Sequence, residues 1–189
     1  NALTDQSHPT QAVADIEALR LAKPDEHKFK IVFSGDGNNV AVSLAEAAAL
    51  LGYDFVHTGP NDPKYKIDPE RWGRIKQIAQ ANGGTAKHEV DPNEAVPDAD
   101  MVYADVFASM GQKGEADIRR TDLAGWKVTE ALMDRAGGQA LFGHCLPAIR
   151  GQEVDASVID DPKRSIAFQI AGCRMDAMVA IMRHLRKQD

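Results

Sequence analysis

Short apolar runs alternate with segments of helical periodicity along most of this chain. The runs with the length and composition of buried strands are 29–33, 53–56, 86–90, 101–106, 139–142 and 165–170. The segments with helical character are 12–22, 40–51, 69–81, 128–135, 153–159 and 172–186. Strands that alternate with helices predict a parallel sheet with helices on both faces, which is a doubly wound, Rossmann-like α/β fold.

Charge and composition narrow the range of partners. The net charge is −6, from 22 basic and 28 acidic residues, and no basic stripe is present. Nucleic acid and anionic membrane surfaces are therefore not expected as partners. No apolar run approaches the roughly 20 residues of a membrane-spanning helix. No secretory signal is visible in a chain that begins at Asn1, and two cysteines do not make a disulfide framework, so we expect a reducing, cytoplasmic location.

Chemically distinctive residues follow several of the predicted strands. Asn39 follows the first strand, Asp105 ends the run 101–106, and Cys145 follows the strand 139–142. Because ligands of open parallel sheets bind beyond the carboxyl ends of the strands, we expect an amide, a carboxylate and a thiol to meet at one edge. A carboxylate in this position needs a partner, so Asp105 either binds a cationic substrate group or serves as a helix cap or loop ion pair.

The neighbouring residues have simpler possible roles. His144 is not expected to activate Cys145, because adjacent strand residues point to opposite faces, and it is expected in the core or behind the site. Asn38 and Asn39 can act as turn and helix-cap residues rather than as ligands. The turn that contains them lacks the G-x-G-x-x-G spacing, which disfavours nucleotide binding. The histidines and cysteines also lack the spacing of a metal site.

Two further stretches carry candidate residues. His8 and Gln11 lie three residues apart at the predicted start of the first helix. They form either a solvated first turn or a pair of donors for a carbonyl group or an anion. The stretch 107–122 has charge but little periodicity and predicts a long loop, of the kind that is usually functional or disordered.

Four motifs occur along the chain in a fixed order. They are His8-Pro9-Thr10-Gln11, Gly35-Asp36-Gly37-Asn38-Asn39, Asp105-x-x-x-Ser109-Met110-Gly111 and His144-Cys145-Leu146-Pro147. In this order and spacing the chain resembles the C-terminal, ornithine-binding half of the ornithine carbamoyltransferases. The resemblance covers essentially the whole chain, and four motifs in register are far more specific than any one of them.

The resemblance implies a role for each matching residue. Those that would hold the α-amino and α-carboxylate groups of L-ornithine are Asn39, Asp105, Ser109 and Met110. Those that would contact carbamoyl phosphate are His8, Gln11 and Arg174. Cys145 would assist proton transfer at the δ-amine of ornithine. Leu146, joined to Pro147 by a cis bond, would offer its backbone carbonyl to the carbamoyl group.

The implied reaction moves a carbamoyl group from carbamoyl phosphate to the δ-amine of L-ornithine, giving L-citrulline and phosphate. Because such an amine has a pKa of about 10, the site must remove a proton and hold the nucleophile in line. Cys145 beside Asp105 can poise the amine, and His8 can donate a hydrogen bond to the developing oxyanion. No metal or organic cofactor is expected. The resemblance also implies arginine biosynthesis and a homotrimer or larger assembly.

Two departures from the family pattern qualify this interpretation. The phosphate-gripping Ser-x-Arg-Thr motif is absent, so the carbamoyl-phosphate domain is expected to be largely missing or supplied by a partner chain, and the chain alone is expected to be inactive. Residues 1–27 would be the last helix of that domain and a linker, 28–170 the ornithine-binding α/β domain, and 171–189 the C-terminal helix. Gly172-Cys173 stands where the family has Glu-Asn. The alternative is a non-catalytic module of the same fold that binds an amino acid or serves as a scaffold.

Overall fold

A single parallel sheet organises the chain in the computed structural model, which describes residues 2–108 and 114–187. The strands found there are β1 (Lys30–Ser34), β2 (Asp54–Thr58), β3 (Thr85–Glu89), β4 (Met101–Ala104) and β5 (Leu141–His144). Their order across the sheet is β3-β2-β1-β4-β5. Strands β2 and β3 therefore follow on one side of β1, and strands β4 and β5 follow on its other side. The boundary between β1 and β4 is the topological switch point, where ligands of open α/β sheets bind.

Helices connect and flank the strands. Those in the described residues are α1 (Pro9–Ala22), α2 (Asn39–Leu50), α3 (Pro69–Ala81), α4 (Pro92–Ala95), α5 (Ala116–Asp122), α6 (Glu130–Ala136), α7 (Ala156–Ile159) and α8 (Ala167–Leu185). The start of α2 is capped by Asn38, whose side chain accepts hydrogen bonds from the backbone N–H groups of Val40 and Ala41. None of the described helices has both the length and the apolar character needed to cross a membrane.

Apolar layers cover both faces of the sheet because successive strand residues point to opposite sides. The strand residues that pack against α1, α2, α3 and α8 are Ile31, Phe33, Phe55, Met101 and Tyr103. Those that pack against α4, α6 and α7 are Val32, Val56, Val102 and Phe142. The doubly wound α/β fold with helices on both faces is therefore confirmed.

The expected strand at 165–170 is wrong. Ser165 makes only an isolated bridge to Phe142, and α8 begins at Ala167, five residues before the predicted start at Gly172. Ile166 and Ile170 are both buried, and the Ile170 N–H donates to the Ile166 carbonyl in the first helical turn. A short apolar run does not distinguish a buried strand from a buried helix start, which explains the error.

The expected loop at 107–122 is also partly wrong, because its last seven residues form α5. The buried residue of α5 is Arg119, which forms an ion pair with Asp36. A helix held by a buried charge has no apolar stripe, so its sequence lacks the periodicity from which a helix is predicted.

The two ends of the chain meet on one side of the sheet. Helix α1 packs along both α8 and α2, and residues of all three helices belong to the same apolar core. The division of the chain at residues 27 and 170 stays a prediction, although the second boundary now falls inside α8.

Candidate functional site

Three loops that follow strands β1, β4 and β5 converge at the carboxyl edge of the sheet. Cys145 Sγ donates a hydrogen bond to Asp105 Oδ1 at 3.0 Å. Asn38 Nδ2 donates to Asp105 Oδ2 at 2.7 Å, across the switch point between β1 and β4. We call Asn38, Asp105 and Cys145 the acid–thiol rim. The structure thus brings together the acid and the thiol that the sequence placed at one edge.

The environment of Cys145 keeps its sulfur protonated. Burial raises the pKa of the Cys145 thiol well above its usual range, and the negative charge of Asp105 raises it further. Both effects disfavour the thiolate. At neutral pH Cys145 is therefore a thiol that donates to Asp105, and it is not an activated nucleophile.

The loop after β5 is held from behind by a buried pair. Leu146 has a φ of 57°, the Leu146–Pro147 peptide bond is cis as expected, and the Leu146 N–H donates to His144 Nδ1 at 2.8 Å. Because Nδ1 accepts this bond, the ring proton lies on Nε2, which is 3.4 Å from Glu153 Oε1. Both side chains are fully buried. His144 therefore lies in the core behind the site, as expected, whereas no sequence pattern indicates that Glu153 lies beside it.

A second group of candidates lies where the start of α1 meets α8. Arg174 Nη1 donates to Thr10 Oγ1 at 3.1 Å and lies 3.5 Å from His8 Nε2. Gln11, which follows Thr10 in the first turn of α1, is also buried. We call His8, Thr10, Gln11 and Arg174 the terminal corner. Arg174 lies beside the His-Pro-Thr-Gln motif, and Cys173, which precedes it, packs into the apolar core.

The protonation of His8 follows from its contacts. Its Nδ1 lies 2.9 Å from the Ala2 carbonyl oxygen, which can only accept, so Nδ1 carries the proton. Burial, and then the charge of Arg174, lower the pKa of His8. The neutral ring presents Nε2 as an acceptor toward Arg174. The predicted donation from His8 to an oxyanion therefore requires a proton on Nε2, which is a different protonation state from this one.

The two asparagines after β1 have different neighbours. Asn39 Nδ2 donates to the Thr4 carbonyl at 2.7 Å, so its amide faces the N-terminal segment. Asn38, which the sequence indicates either as a turn and cap residue or as a ligand, caps α2 and also donates a hydrogen bond to Asp105. Ser109 and Met110, which were expected to complete the ornithine site, lie outside the described residues.

A buried ion pair supports the glycine-rich turn after β1. Arg119 Nη1 and Asp36 Oδ2 are 2.6 Å apart, with side-chain exposures of 6% and 11%. The guanidinium carbon of Arg119 also lies 5.4 Å from the centre of the Tyr65 ring. No sequence pattern indicates Arg119, because the segment that forms its helix was expected to be a loop. Within residues 2–108 and 114–187, no three His, Cys, Asp or Glu side chains come together in a way that could hold a metal ion.

Comparison with known proteins identifies the family of the chain. Residues 27–185 match the family described as aspartate/ornithine carbamoyltransferase, Asp/Orn binding domain. The chain belongs to the aspartate/ornithine carbamoyltransferase family. The sequence is 44% identical over 182 residues to an ornithine carbamoyltransferase of Symbiobacterium thermophilum. The matched region covers 96% of this chain and 58% of that carbamoyltransferase.

Solved carbamoyltransferase structures share the fold. The ornithine carbamoyltransferase of Pyrococcus furiosus superposes with a TM-score of 0.89 at 42% identity, over 96% of this chain and 57% of that one. The anabolic ornithine carbamoyltransferase of Campylobacter jejuni superposes with a TM-score of 0.94 at 31% identity, over 100% of this chain and 62% of that one. The chain thus spans a little over half the length of the carbamoyltransferases that it matches.

Proposed function

We propose that the chain is the ornithine-binding half of an enzyme that transfers a carbamoyl group from carbamoyl phosphate to the δ-amine of L-ornithine, giving L-citrulline and phosphate. The observation that carries the proposal is the hydrogen bond from Cys145 Sγ to Asp105 Oδ1 at the switch point of the sheet. Membership of the family and the similarity to ornithine carbamoyltransferases support the same reaction. No observation favours the alternative of a non-catalytic binding or scaffold module.

In the proposed reaction the acid–thiol rim receives ornithine. The carboxylate of Asp105 attracts a substrate ammonium group, with Asn39, Ser109 and Met110 as further proposed contacts. The thiol of Cys145 donates to Asp105 and leaves its sulfur lone pairs free to accept an N–H of the δ-amine. In this role Cys145 orients the nucleophile and does not form a covalent bond.

The terminal corner is the proposed site of the carbamoyl donor. Arg174 supplies positive charge for a phosphate, and Gln11, His8 and the backbone carbonyl of Leu146 are proposed to contact the carbamoyl group. The neutral amine nitrogen attacks the carbamoyl carbon and forms the new C–N bond. The bond from that carbon to the phosphate oxygen breaks, phosphate leaves with the electron pair, and the amine proton passes to a base or to water.

The phosphate-gripping half is proposed to come from a partner chain or from a longer polypeptide. The sequence has no Ser-x-Arg-Thr motif, and α8 exposes Phe168, Met175 and Met182, which supports a contact surface on that helix. Without this half the chain should be inactive. A homotrimer or larger assembly, a place in arginine biosynthesis and a cytoplasmic location are parts of the same proposal.

The test compares the 189-residue chain with an extended form, in which the carbamoyl-phosphate half that the resemblance implies precedes residue 1. The extended form should make citrulline from ornithine and carbamoyl phosphate, and the shorter chain should make none. In calorimetry, ornithine should bind the extended form tightly only after carbamoyl phosphate, as the family resemblance implies. A folded extended form that makes no citrulline would overturn the proposal, and tight ornithine binding to the short chain alone would contradict the order.

A further inference from the structure

A fully buried carboxyl group lies between the terminal corner and the acid–thiol rim. Asp15 is on α1, one turn after Gln11, and is 0% exposed. Its Oδ1 accepts hydrogen bonds from Gln11 Nε2 at 2.8 Å and from the Tyr103 hydroxyl at 2.9 Å. Its Oδ2 is buried and has no hydrogen-bond partner among the described residues. Burying a carboxyl group with one oxygen unpaired is unfavourable, so the position calls for an explanation.

The chemistry of Asp15 determines which way the Gln11 amide faces. Oδ1 is an acceptor, so the Gln11 side chain must turn its NH₂ group toward it. The carbonyl oxygen Oε1 of Gln11 is then the atom left to meet a ligand. An amide held in this orientation accepts a hydrogen bond from an NH₂ group and is poorly suited to a ligand that offers only acceptors.

We propose that Asp15 is a positioning residue that holds Gln11 with its carbonyl oxygen toward the site, so that the site selects a donor substrate with a free carbamoyl NH₂ group. The inference rests on the proposed function and adds the residue that sets the orientation of Gln11. Asp15 does not touch the substrate and acts through Gln11.

Tyr103 connects the same carboxyl group to the other half of the site. It lies on β4, two residues before Asp105, and its hydroxyl group donates to Asp15. Asp15 therefore joins α1, which carries His8 and Gln11, to the strand that delivers Asp105. Through its hydrogen bonds from Gln11 and Tyr103, Asp15 Oδ1 connects the proposed carbamoyl contacts to the proposed ornithine contacts.

The orientation of Gln11 is the same whether Asp15 is ionised or protonated. Burial raises the pKa of Asp15 to about 7, and Asp105 adds to the increase, while the hydrogen bonds from Gln11 and Tyr103 and the charge of Arg174 oppose it. Because Oδ1 already accepts two hydrogen bonds, a proton belongs on Oδ2. In either state Oδ1 remains an acceptor, so Gln11 keeps its orientation on both sides of neutral pH.

The decisive variant is Asp15→Asn, which keeps the size of the side chain. An asparagine offers a donor as well as an acceptor, so Gln11 can pair with it in either orientation. In the extended form we expect the KM for carbamoyl phosphate to rise about 10-fold, the size of one lost hydrogen bond, with the KM for ornithine changed less than about 2-fold. Glu17→Gln, at an exposed carboxylate on the same helix, is the control and should change neither.

A measurement without substrate separates this inference from the proposed function. In the 189-residue chain, nuclear magnetic resonance should show the Gln11 side-chain NH₂ as one pair of slowly exchanging protons near Tyr103, both below and above pH 7. In Asp15→Asn, the two possible orientations of Gln11 should give either two pairs of NH₂ resonances or one averaged pair. An unchanged pair together with an unchanged KM for carbamoyl phosphate would overturn the inference, as would two Gln11 orientations in the unsubstituted chain. The resonance measurement on the unsubstituted chain stands even if Asp15→Asn does not fold or the extended form makes no citrulline.

Discussion

The acid–thiol rim and the terminal corner are assembled in different ways. The residues of the rim follow three parallel strands, and their side chains are hydrogen-bonded to one another at 2.7 and 3.0 Å. The residues of the corner come from opposite ends of the chain, and Arg174 reaches Thr10 and His8 at 3.1 and 3.5 Å. The sheet dictates the geometry of the rim, whereas the corner depends on how α1 packs against α8.

The difference suggests what each region is prepared to bind. In the rim, both oxygens of Asp105 already have donors, so an arriving ammonium group must share or replace one of them. In the corner, Arg174 uses Nη1 in its hydrogen bonds within the described residues, and a guanidinium group has five N–H donors. The rim is preorganised around one carboxylate, and the corner keeps donors for an anion.

The largest expected effect comes from removing the charge of the rim. In the extended form, Asp105→Asn should lower kcat/KM for ornithine by about 100-fold, because the site loses the carboxylate that attracts the substrate ammonium and orders Cys145. Capture of carbamoyl phosphate should weaken less. Steady-state kinetics with each substrate varied in turn measures both effects. Asp25→Asn, at an exposed position before β1, is the control. Equal losses for the two substrates would contradict the division between rim and corner.

A smaller effect is expected on the reactivity of Cys145. Since burial and Asp105 both raise the pKa of this thiol, its alkylation by iodoacetamide should be slow at neutral pH and should increase only above the ordinary range of cysteine. Asp105→Asn should accelerate alkylation, because loss of the nearby negative charge lowers the pKa, although burial still keeps it raised. Peptide mass spectrometry over a pH series gives the rates. A thiol that reacts at neutral pH as fast as free N-acetylcysteine would show that the rim does not hold Cys145 as described.

The smallest expected effect is a shift in the titration of His8. Its pKa should lie below the ordinary histidine value, since burial and Arg174 both disfavour the charged ring. Arg174→Gln should move the pKa upward, but not as far as the ordinary value, because burial is the larger cause. Ring-proton resonances followed against pH report the midpoint. Arg183→Gln, near the exposed end of α8, should leave it unchanged. No response to Arg174→Gln would mean that the corner is not assembled in solution.

Much of the molecule could be predicted from the sequence, for a physical reason. Apolar runs of strand length separated by helical segments leave few arrangements that bury both faces of a sheet. Parallel strands place their carboxyl ends at one edge, so Asp105 and Cys145 had to be near each other once the strands were assigned. The alternation of strand side chains also predicted the buried place of His144, whereas the cis bond at Leu146–Pro147 was implied by the family resemblance.

Other features depended on contacts between distant residues, which no local pattern records. The start of α8, the helix that contains Arg119, and the choice of Asn38 over Asn39 as the partner of Asp105 were all decided by packing. The same holds for Glu153 behind His144. Burial raises the pKa of Cys145 and lowers that of His8, and burial is a property of the folded chain. The pattern of apolar runs therefore sets the sheet and the edge where the chemistry lies, whereas packing between distant residues selects the atoms that face one another there.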